Sequence, residues 1–228
     1  MELTGSYRHE LKYLITTADA LALRQRLAPV MRRDAHAGAD GQYTIRSVYF
    51  DNYRDKALRE KTDGVQRREK FRIRYYNDDF SFITLEKKIK HNDLCRKLDA
   101  PLTDGEYRRV LCAPGEWMLA HPEGLVRELY CKMQTQQLRP RVLVSYVREP
   151  FVYAAGNVRV TLDYNIRTGL RCTDFLDPGC VTIPVKDSPC ILEVKWDSYL
   201  PDVIRDAVLL DDRQCAAFSK YAACRMYD

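Results

Sequence analysis

Short segments in which apolar and polar side chains alternate recur along most of the chain. Successive side chains of a strand point to opposite faces, so these segments predict strands with one apolar and one polar face. The predicted strands are residues 7–15, 43–50, 69–76, 81–90, 94–98, 141–148, 157–164 and 190–196. The polar run Asn77-Asp78-Asp79 between the third and fourth strands favours a hairpin.

Helical segments are predicted between and after these strands. Thr16 or Thr17 can cap a helix that ends near Ala28, and Thr103 with Glu106 forms a capping box for a helix to about Cys112. Further helices are predicted at 124–137 and in a tail from 202 to about 223, and residues 33–41 read as a loop. The pattern predicts one α+β domain over residues 1–228.

The polar faces of the strands carry long charged side chains of both signs. These are Arg8, Glu10 and Lys12; Arg72 and Arg74; Glu86, Lys88 and Lys90; Arg159 and Asp163; and Glu193 and Lys195. For one strand alone, the simplest interpretation is that the charged face meets water. Because the pattern recurs in nearly every strand and the helices need apolar faces to pack on, we favour charged faces that point into a barrel.

A lumen of Arg and Lys suits a linear chain of phosphates, whose oxygens accept several hydrogen bonds from cations. Carboxylates do not bind an anion directly, but they can hold a bridging Mg²⁺ or Mn²⁺. Walker A, GxSxG and HExxH motifs are absent, as is the ligand spacing of a zinc site. The pattern therefore points to a metal-assisted phosphate site.

Composition narrows the class of protein. The chain has 228 residues, 46% of them hydrophobic and 30% charged, which excludes a disordered or fibrous protein. The net charge of +5 does not by itself indicate nucleic-acid binding. Eight cysteines without CxxC pairs are typical of reduced thiols, and no apolar run is long enough for a membrane span, so a cytoplasmic location is expected.

An ordered series of short motifs covers nearly the whole chain. They are Tyr7-Arg8-His9-Glu10-Leu11-Lys12-Tyr13, Ser47-Val48-Tyr49-Phe50-Asp51-Asn52, Lys70-Phe71-Arg72-Ile73-Arg74-Tyr75-Tyr76, Leu85-Glu86-Lys87-Lys88, Tyr146-Val147-Arg148-Glu149-Pro150-Phe151, Arg159-Val160-Thr161-Leu162-Asp163, Leu192-Glu193-Val194-Lys195 and Phe218-Ser219-Lys220-Tyr221. In this order the series resembles the triphosphate tunnel metalloenzymes, and within them the VTC-type polyphosphate polymerase domain.

The resemblance implies an eight-stranded antiparallel β-barrel with helices packed outside and a C-terminal helix. It also implies binding of ATP, triphosphate or polyphosphate with Mn²⁺ or Mg²⁺. By position, the phosphate-contacting catalytic residues would be Lys12, Arg72, Arg74, Lys88, Arg148, Arg159 and Lys220. Lys97, Tyr146 and Lys195 would add further binding groups, and Glu193, with Glu10 and Glu86, would bind the metal.

One departure from the family bears on the reaction. In the tunnel phosphatases and cyclases that the chain resembles, the first strand usually carries an ExExK motif. In this sequence Arg8 stands in the place of the first Glu of that motif. This favours a polyphosphate polymerase, with a tripolyphosphatase or nucleoside triphosphatase on the same fold as the alternative. Without a membrane segment, coupling to translocation would need a separate membrane partner.

A non-catalytic polyphosphate- or RNA-binding module is the other alternative. Arg67, Arg68 and Lys70 beside Tyr75 and Tyr76 could neutralise phosphates and stack bases. No specific nucleic acid is expected, because nucleic-acid binding does not account for Glu86 and Glu193.

Overall fold

A computed structural model gives the structure of the protein and describes residues 7–226 except 173, 175, 178 and 188. Its strands are β1 (Arg8–Ile15), β2 (Arg32–Arg33), β3 (Tyr43–Asp51), β4 (Arg67–Tyr76), β5 (Asp79–His91), β6 (Leu94–Leu102), β7 (Arg139–Tyr153), β8 (Val158–Thr168), β9 (Ile183–Pro184) and β10 (Cys190–Trp196). Its α-helices are α1 (Thr17–Leu27), α2 (Lys56–Thr62), α3 (Asp104–Cys112), α4 (Gly124–Thr135), α5 (Asp202–Val208) and α6 (Lys220–Arg225).

Eight of the strands close into a barrel. They follow the order β7-β3-β4-β5-β6-β1-β10-β8, and pairing of β8 with β7 joins the two ends of the sheet. Neighbouring strands run antiparallel, while the two-residue strands β2 and β9 extend β7 and β8 outside the ring. The predicted eight-stranded antiparallel barrel is confirmed.

Strand β1 is held mainly by residues from the other end of the chain. Residues His9 to Ile15 pair with β10, whereas pairing with β6 is confined to Arg8 and His9. Farther along β1, the amide of Ala216 donates to the carbonyl of Lys12 at 2.7 Å, and Tyr13 forms a bridge with Cys215. The chain after α5 therefore covers part of an otherwise open edge in the barrel wall.

The apolar faces of the strands point outward to the helices. Phe71, Ile73 and Leu85 lie in one buried cluster with Tyr107 of α3 and Leu129 of α4. A second cluster joins α1 and α5 to the outer faces of β8 and β10 through residues such as Leu23, Val160, Leu192 and Ile204. Because side chains alternate, this packing turns the charged faces into the barrel.

One end of the barrel interior is itself apolar. Ile45 shares the inner face of β3 with Ser47 and Tyr49, and it packs with Val144, Ile166 and Tyr221 of α6. Helix α6 therefore docks against the barrel interior, and its first residue, Lys220, is 9% exposed.

The two predicted helix starts have the expected caps. Thr16 and Asp19 form a capping box at α1, and Thr103 and Glu106 form one at α3. Helix α2 was not predicted, because its cap is supplied from a distance: the Asp51 carboxylate accepts from the amides of Ala57 at 2.9 Å and Leu58 at 3.1 Å.

The prediction of one continuous helix from 202 to about 223 was wrong. Helix α5 ends at Val208, residues 209–219 are not helical, and Ser219 caps the separate helix α6. Hydrogen bonding of residues 215–216 to β1 overrides local helical propensity. The predicted loop at 33–41 also begins with Arg33 paired in β2. In the part of the chain that is described, no helix has the length and apolar character to cross a membrane.

Candidate functional site: a charged tunnel

The inward faces of the eight strands form a narrow charged tunnel. Lys88 of β5 donates to Glu10 of β1 at 2.7 Å although β6 lies between these strands. Arg159 of β8 likewise donates to the Tyr43 hydroxyl of β3 at 2.6 Å, across β7. Contacts between non-adjacent strands show that these side chains meet inside the barrel.

The structure brings nearly all the predicted residues to this tunnel. Its inner faces carry Glu10 and Lys12 of β1, Arg72 and Arg74 of β4, Glu86 and Lys88 of β5, Tyr146 and Arg148 of β7, Arg159 of β8, Glu193 and Lys195 of β10, and Lys220 of α6. Lys97 lies nearer to solvent, where its side chain is 50% exposed and its Nζ is 3.5 Å from Glu86 and 3.4 Å from Asp99.

Glu10 and Glu193 form one centre with two shared lysines. The Lys12 ammonium is 3.2 Å from Glu10 and 3.5 Å from Glu193, and Lys195 contacts both carboxylates as well. Burial opposes ionisation of Glu10, but Lys88 and Lys12 outweigh it and hold its pKa well below the usual range. Burial opposes ionisation of Glu193 too, and Lys195 and Lys12 hold its pKa low. Both carboxylates are therefore charged near neutral pH.

This centre has the donor chemistry for a divalent cation that also binds substrate. Among residues 7–226 as described, no three or more His, Cys, Asp or Glu side chains are grouped to hold a metal ion. Mg²⁺ commonly uses one or two carboxylates and takes its other ligands from water and phosphates. Glu10 and Glu193 supply two carboxylates of that kind, and Lys12 and Lys195, which neutralise them in the protein alone, would have to move aside for a bound cation.

Glu86 belongs to a different group in the tunnel. Arg72 donates to Glu86 at 2.6 Å, and Arg74 lies 3.6 Å from the same carboxylate. Burial raises the pKa of Glu86, but attraction by Arg72 and Arg74 lowers it by a larger amount and keeps the carboxylate ionised. Arg72 also donates to the Tyr49 hydroxyl at 2.8 Å, and Arg74 to the Tyr146 hydroxyl at 3.2 Å. Two guanidinium groups are thus aligned along β4.

A third group surrounds Asp163, which sequence reasoning placed on the charged face but did not assign to the site. Asp163 is fully buried and accepts two hydrogen bonds from Arg148, at 2.6 and 2.7 Å. Lys220 donates to it at 2.6 Å and lies 4.5 Å from the centre of the Tyr146 ring. Burial opposes ionisation of Asp163, but Arg148 and Lys220 hold its pKa low. This carboxylate fixes α6 to the tunnel wall.

Comparison with known proteins agrees with this geometry. The sequence profile of the VTC domain matches residues 7–227. The chain belongs to the VTC domain family. A search of curated proteins gives no significant match to this VTC domain.

Solved structures with the same fold are distant in sequence. The candidate adenylyl cyclase HpAC1 from Hippeastrum, described as having a dominant triphosphatase activity, is 12% identical with a TM-score of 0.57, covering 97% of this chain and 96% of that one. A candidate adenylate cyclase from Bacillus halodurans is 16% identical with a TM-score of 0.53, covering 85% and 82%. At these identities the similarity shows that the VTC domain has the triphosphate tunnel fold.

Tyr49 and Lys70 are tunnel residues of the VTC domain that sequence reasoning did not assign to the catalytic or metal site. Lys70 Nζ is 5.2 Å from the centre of the Tyr49 ring. Burial lowers the pKa of Lys70 to about 7, with repulsion by Lys88 and Lys12 acting in the same direction. Burial opposes ionisation of Tyr49, but Arg72 and Lys70 lower its pKa to about 7. The position of Lys70 two residues before Arg72 was the signal that could have identified it.

These two groups predict a pH dependence of stability. Between pH 7 and about 10, the unfolded chain keeps protons on Tyr49 and Lys70 that the folded pair has partly lost, so stability should rise with pH. We expect Lys70→Gln to reduce that rise, measured by urea unfolding at several pH values. Lys56→Gln, which alters a more exposed ion pair with Glu60, should leave the slope unchanged. Equal slopes in Lys70→Gln and the natural chain would contradict the assignment.

Proposed function

We propose that this VTC domain is a polyphosphate polymerase that transfers the γ-phosphate of ATP to a growing polyphosphate chain inside the tunnel, with Mn²⁺ or Mg²⁺. The observation that carries the proposal is that each buried tunnel carboxylate lies within 4 Å of two or more tunnel cations. Glu10, Glu86, Asp163 and Glu193 all have lowered pKa values because cations surround them. A carboxylate held so firmly in its charged form is a poor base for activating water, whereas a terminal phosphate is already an anionic nucleophile.

The position of Arg8 supports the same reaction. Its Nε lies 2.8 Å from Asp197, and its guanidinium also donates to the carbonyl of Asn157. Arg8 therefore brings a cation with its own carboxylate partner to the start of β1, and Glu10 and Glu193 remain as the paired carboxylates. Strand β1 therefore offers one carboxylate fewer for a metal ion than an ExExK strand would, which favours the polymerase over the hydrolase.

Phosphoryl transfer in such a site depends on positioning and on charge. Arg72, Arg74 and Arg148 can present planar guanidinium groups to phosphate oxygens, and Lys12, Lys88 and Lys220 add point charges. Glu10 and Glu193 are the residues that would hold a divalent metal ion, which would supply positive charge to offset the charge of the phosphate oxygens. Donors fixed inside a narrow barrel would keep attacking and leaving oxygens in line and exclude competing water.

The surface beside the start of β3 and the turn between β4 and β5 has room outside the charged interior. A cavity of about 250 Å³ there is lined by residues that include Gln42, Tyr43, Asn77 and Val147. Tyr43 also accepts a hydrogen bond from Arg159, so this cavity adjoins the charged interior. We propose that this cavity takes the nucleoside part of ATP.

Product analysis tests the proposal directly. Purified protein incubated with ATP and Mn²⁺ should produce ADP and long polyphosphate, resolved on a gel, and omission of the metal should stop the reaction. Formation of ADP and orthophosphate without a long polymer would contradict polymerisation. A variant that lacks a tunnel cation serves as the control for a contaminating kinase.

A tripolyphosphatase or nucleoside triphosphatase is the second candidate. HpAC1, which shares the fold, is described as having a dominant triphosphatase activity. Substrate binding would be the same, but water would attack the terminal phosphate. Release of orthophosphate from tripolyphosphate as the main reaction would select this alternative.

A further inference from the structure

Two cysteines of the loop between β8 and β9 have their sulfur atoms in contact. The Cys180 thiol lies 2.7 Å from the Cys172 sulfur, and all eight cysteines of the chain are free thiols. The main-chain carbonyls of Asp174 and Val181 are 4.0 Å from the two sulfurs, a distance too long for a strong hydrogen bond. The contact between the two sulfurs is therefore the closer interaction of the pair.

Both ends of this loop are fixed to the barrel. At its start the amide of Gly169 donates to the carbonyl of Leu143 at 2.9 Å, and just after β9 the amide of Val185 donates to the carbonyl of Ile166 at 2.9 Å. Between these points Cys180 is buried in the apolar cluster that covers the outer faces of β4 and β5. The tertiary structure therefore helps to position the two thiols, beyond their nearness in sequence.

Arg46, on the outer face of β3, holds the middle of the loop against the barrel wall. Its guanidinium donates to the carbonyl of Asp177 at 3.0 Å and to the hydroxyl of Tyr75 at 3.2 Å. It also lies close enough to Cys180 for the two groups to interact electrostatically. A cation beside a thiol stabilises the thiolate, which is the reactive form.

The two thiols differ in their access to solvent. Cys172 is half-buried, whereas Cys180 is buried. Burial raises the pKa of Cys180 to about 12, and the adjacent Cys172 acts in the same direction and outweighs Arg46. Cys172 is therefore the thiol that a dissolved reagent meets first, with Cys180 directly beside it. An accessible thiol next to a second, resolving thiol is typical of redox-sensitive cysteines.

We propose that Cys172 and Cys180 are a modification site that forms a reversible disulfide by exchange with low-molecular-weight disulfides such as oxidised glutathione. This activity is separate from phosphoryl transfer and does not depend on it, because the loop contacts the outer face of β3 and not the tunnel. In a reducing compartment such disulfides are transient and signal a change of redox state.

The exchange has two steps, and its atoms and electrons balance. The Cys172 thiolate attacks one sulfur of oxidised glutathione, and a glutathione thiolate leaves with the electron pair of the broken S–S bond. Cys180 then releases its proton, and its thiolate attacks the Cys172 sulfur and expels the second glutathione thiolate. The two protons lost by the cysteines are taken up by the two glutathione thiolates. The two cysteine sulfurs are oxidised by two electrons in all, and glutathione is reduced by the same number.

Formation of the mixed disulfide prepares the second step. The negative charge on Cys172 disappears when its sulfur bonds to glutathione, which removes one of the causes that raise the pKa of Cys180. The neighbouring Arg46 continues to favour the Cys180 thiolate. Attack by Cys180 therefore becomes easier once Cys172 has reacted.

The disulfide would stabilise the end of the barrel where α6 docks. Thr168, the last residue of β8 before the loop, donates to the carbonyl of Cys224 in α6 at 3.3 Å and accepts from the amide of Leu170 at 3.0 Å. A cross-link between Cys172 and Cys180 restricts the unfolded chain. We expect the thermal midpoint to rise on the order of 5 °C when the disulfide forms.

Equilibration of the full chain in glutathione buffers of different reduced-to-oxidised ratio tests the proposal. After free thiols have been alkylated, trypsin releases both cysteines in one peptide, residues 172–186, because Arg171 and Lys186 bound a stretch without another Lys or Arg. The disulfide prevents alkylation and lowers the mass of the peptide by about 2 Da, the two hydrogens lost on oxidation. We expect this form to accumulate with oxidised glutathione and to disappear with reduced glutathione.

The unfolded chain is a necessary control, because the two cysteines are also close in sequence. A short flexible linker gives two groups an effective concentration in the mM range, whereas the folded loop holds the sulfurs in contact. We expect the effective concentration of the two thiols, measured against glutathione, to be at least about tenfold higher in the folded chain than in urea. Equal values in the two states would overturn the proposal, as would glutathione attached to both cysteines without a link between them.

Cys172→Ser is the informative variant, because Cys172 is less buried than Cys180 and serine retains most of its shape. It should show neither the linked peptide nor the rise in thermal midpoint. Cys112→Ser/Cys131→Ser, which removes two exposed thiols from α3 and α4, should behave like the natural chain. A rise that persists in Cys172→Ser, or that is lost in the control, would assign the effect to other cysteines and overturn the proposal.

Discussion

Replacement of Arg72 by Ala is expected to lower the rate of phosphoryl transfer by about 10²- to 10³-fold, as loss of a preorganised cationic donor does in comparable sites. The Arg72 guanidinium is mostly buried, donates to Glu86 at 2.6 Å and to Tyr49 at 2.8 Å, and lies on the inner row of β4. Its planar group can contact two phosphate oxygens at once. Initial rates at saturating ATP measure the loss.

The fold of Arg72→Ala should survive. Glu86 keeps Arg74 at 3.6 Å and Lys97 at 3.5 Å, so its charge stays partly compensated. Circular dichroism and the thermal midpoint check this. Arg67→Ala, on the exposed face of the same strand, is the matched control and should retain the full rate. A normal rate in a folded Arg72→Ala would remove Arg72 from the site.

Asp163→Asn is expected to destabilise the protein by roughly 3–5 kcal/mol, because it leaves buried cations without their partner. The fully buried Asp163 carboxylate compensates both Arg148 and Lys220. An amide of the same shape retains the volume but lacks the charge. Urea unfolding at neutral pH measures the change in the free energy of unfolding.

An exposed ion pair supplies the control for Asp163→Asn. Asp206 lies 3.0 Å from Arg205, and its side chain is 66% exposed. We expect Asp206→Asn to change stability by no more than about 0.5 kcal/mol. A loss of less than about 1 kcal/mol in Asp163→Asn would mean that Arg148 and Lys220 find other compensation, and that α6 does not depend on this carboxylate.

Alternation along single strands predicted much of the tunnel lining, whereas Arg148 and Lys220 were placed there by the family resemblance alone. Arg72 and Arg74 could be assigned to one face from their spacing, and apolar neighbours such as Ile73 showed which face the helices would cover. The grouping of charges was not predictable, because it depends on contacts between distant strands. Glu10 meets Lys88 across the barrel. Glu86, predicted with Glu10 and Glu193 as a metal ligand, instead contacts Arg72, and its metal role stays a prediction.

Residues with weak local signals were missed. Asp163 lay on a recognised charged face, but nothing in its neighbours along the chain showed that Arg148 and Lys220 would converge on it. Tyr49 was read as part of a motif rather than as a partner of Arg72 and Lys70. The prediction of a continuous C-terminal helix was wrong for the same reason, because the amide of Ala216 donates to the carbonyl of Lys12, which is distant in sequence. Sequence spacing does not encode such long-range contacts.

The pairing of β1 has a consequence for the order in which the protein can fold during synthesis. Most of β1 leaves the ribosome early, yet its hydrogen-bond partners lie in β10 and at residues 215–216. Contacts of such large sequence separation form slowly. Until β10 has been made, the barrel remains an open sheet, and Lys12 and Glu10 cannot reach Glu193. The site is therefore completed late in synthesis, first when β10 pairs with β1 and then when Lys220 joins Asp163 in the tunnel.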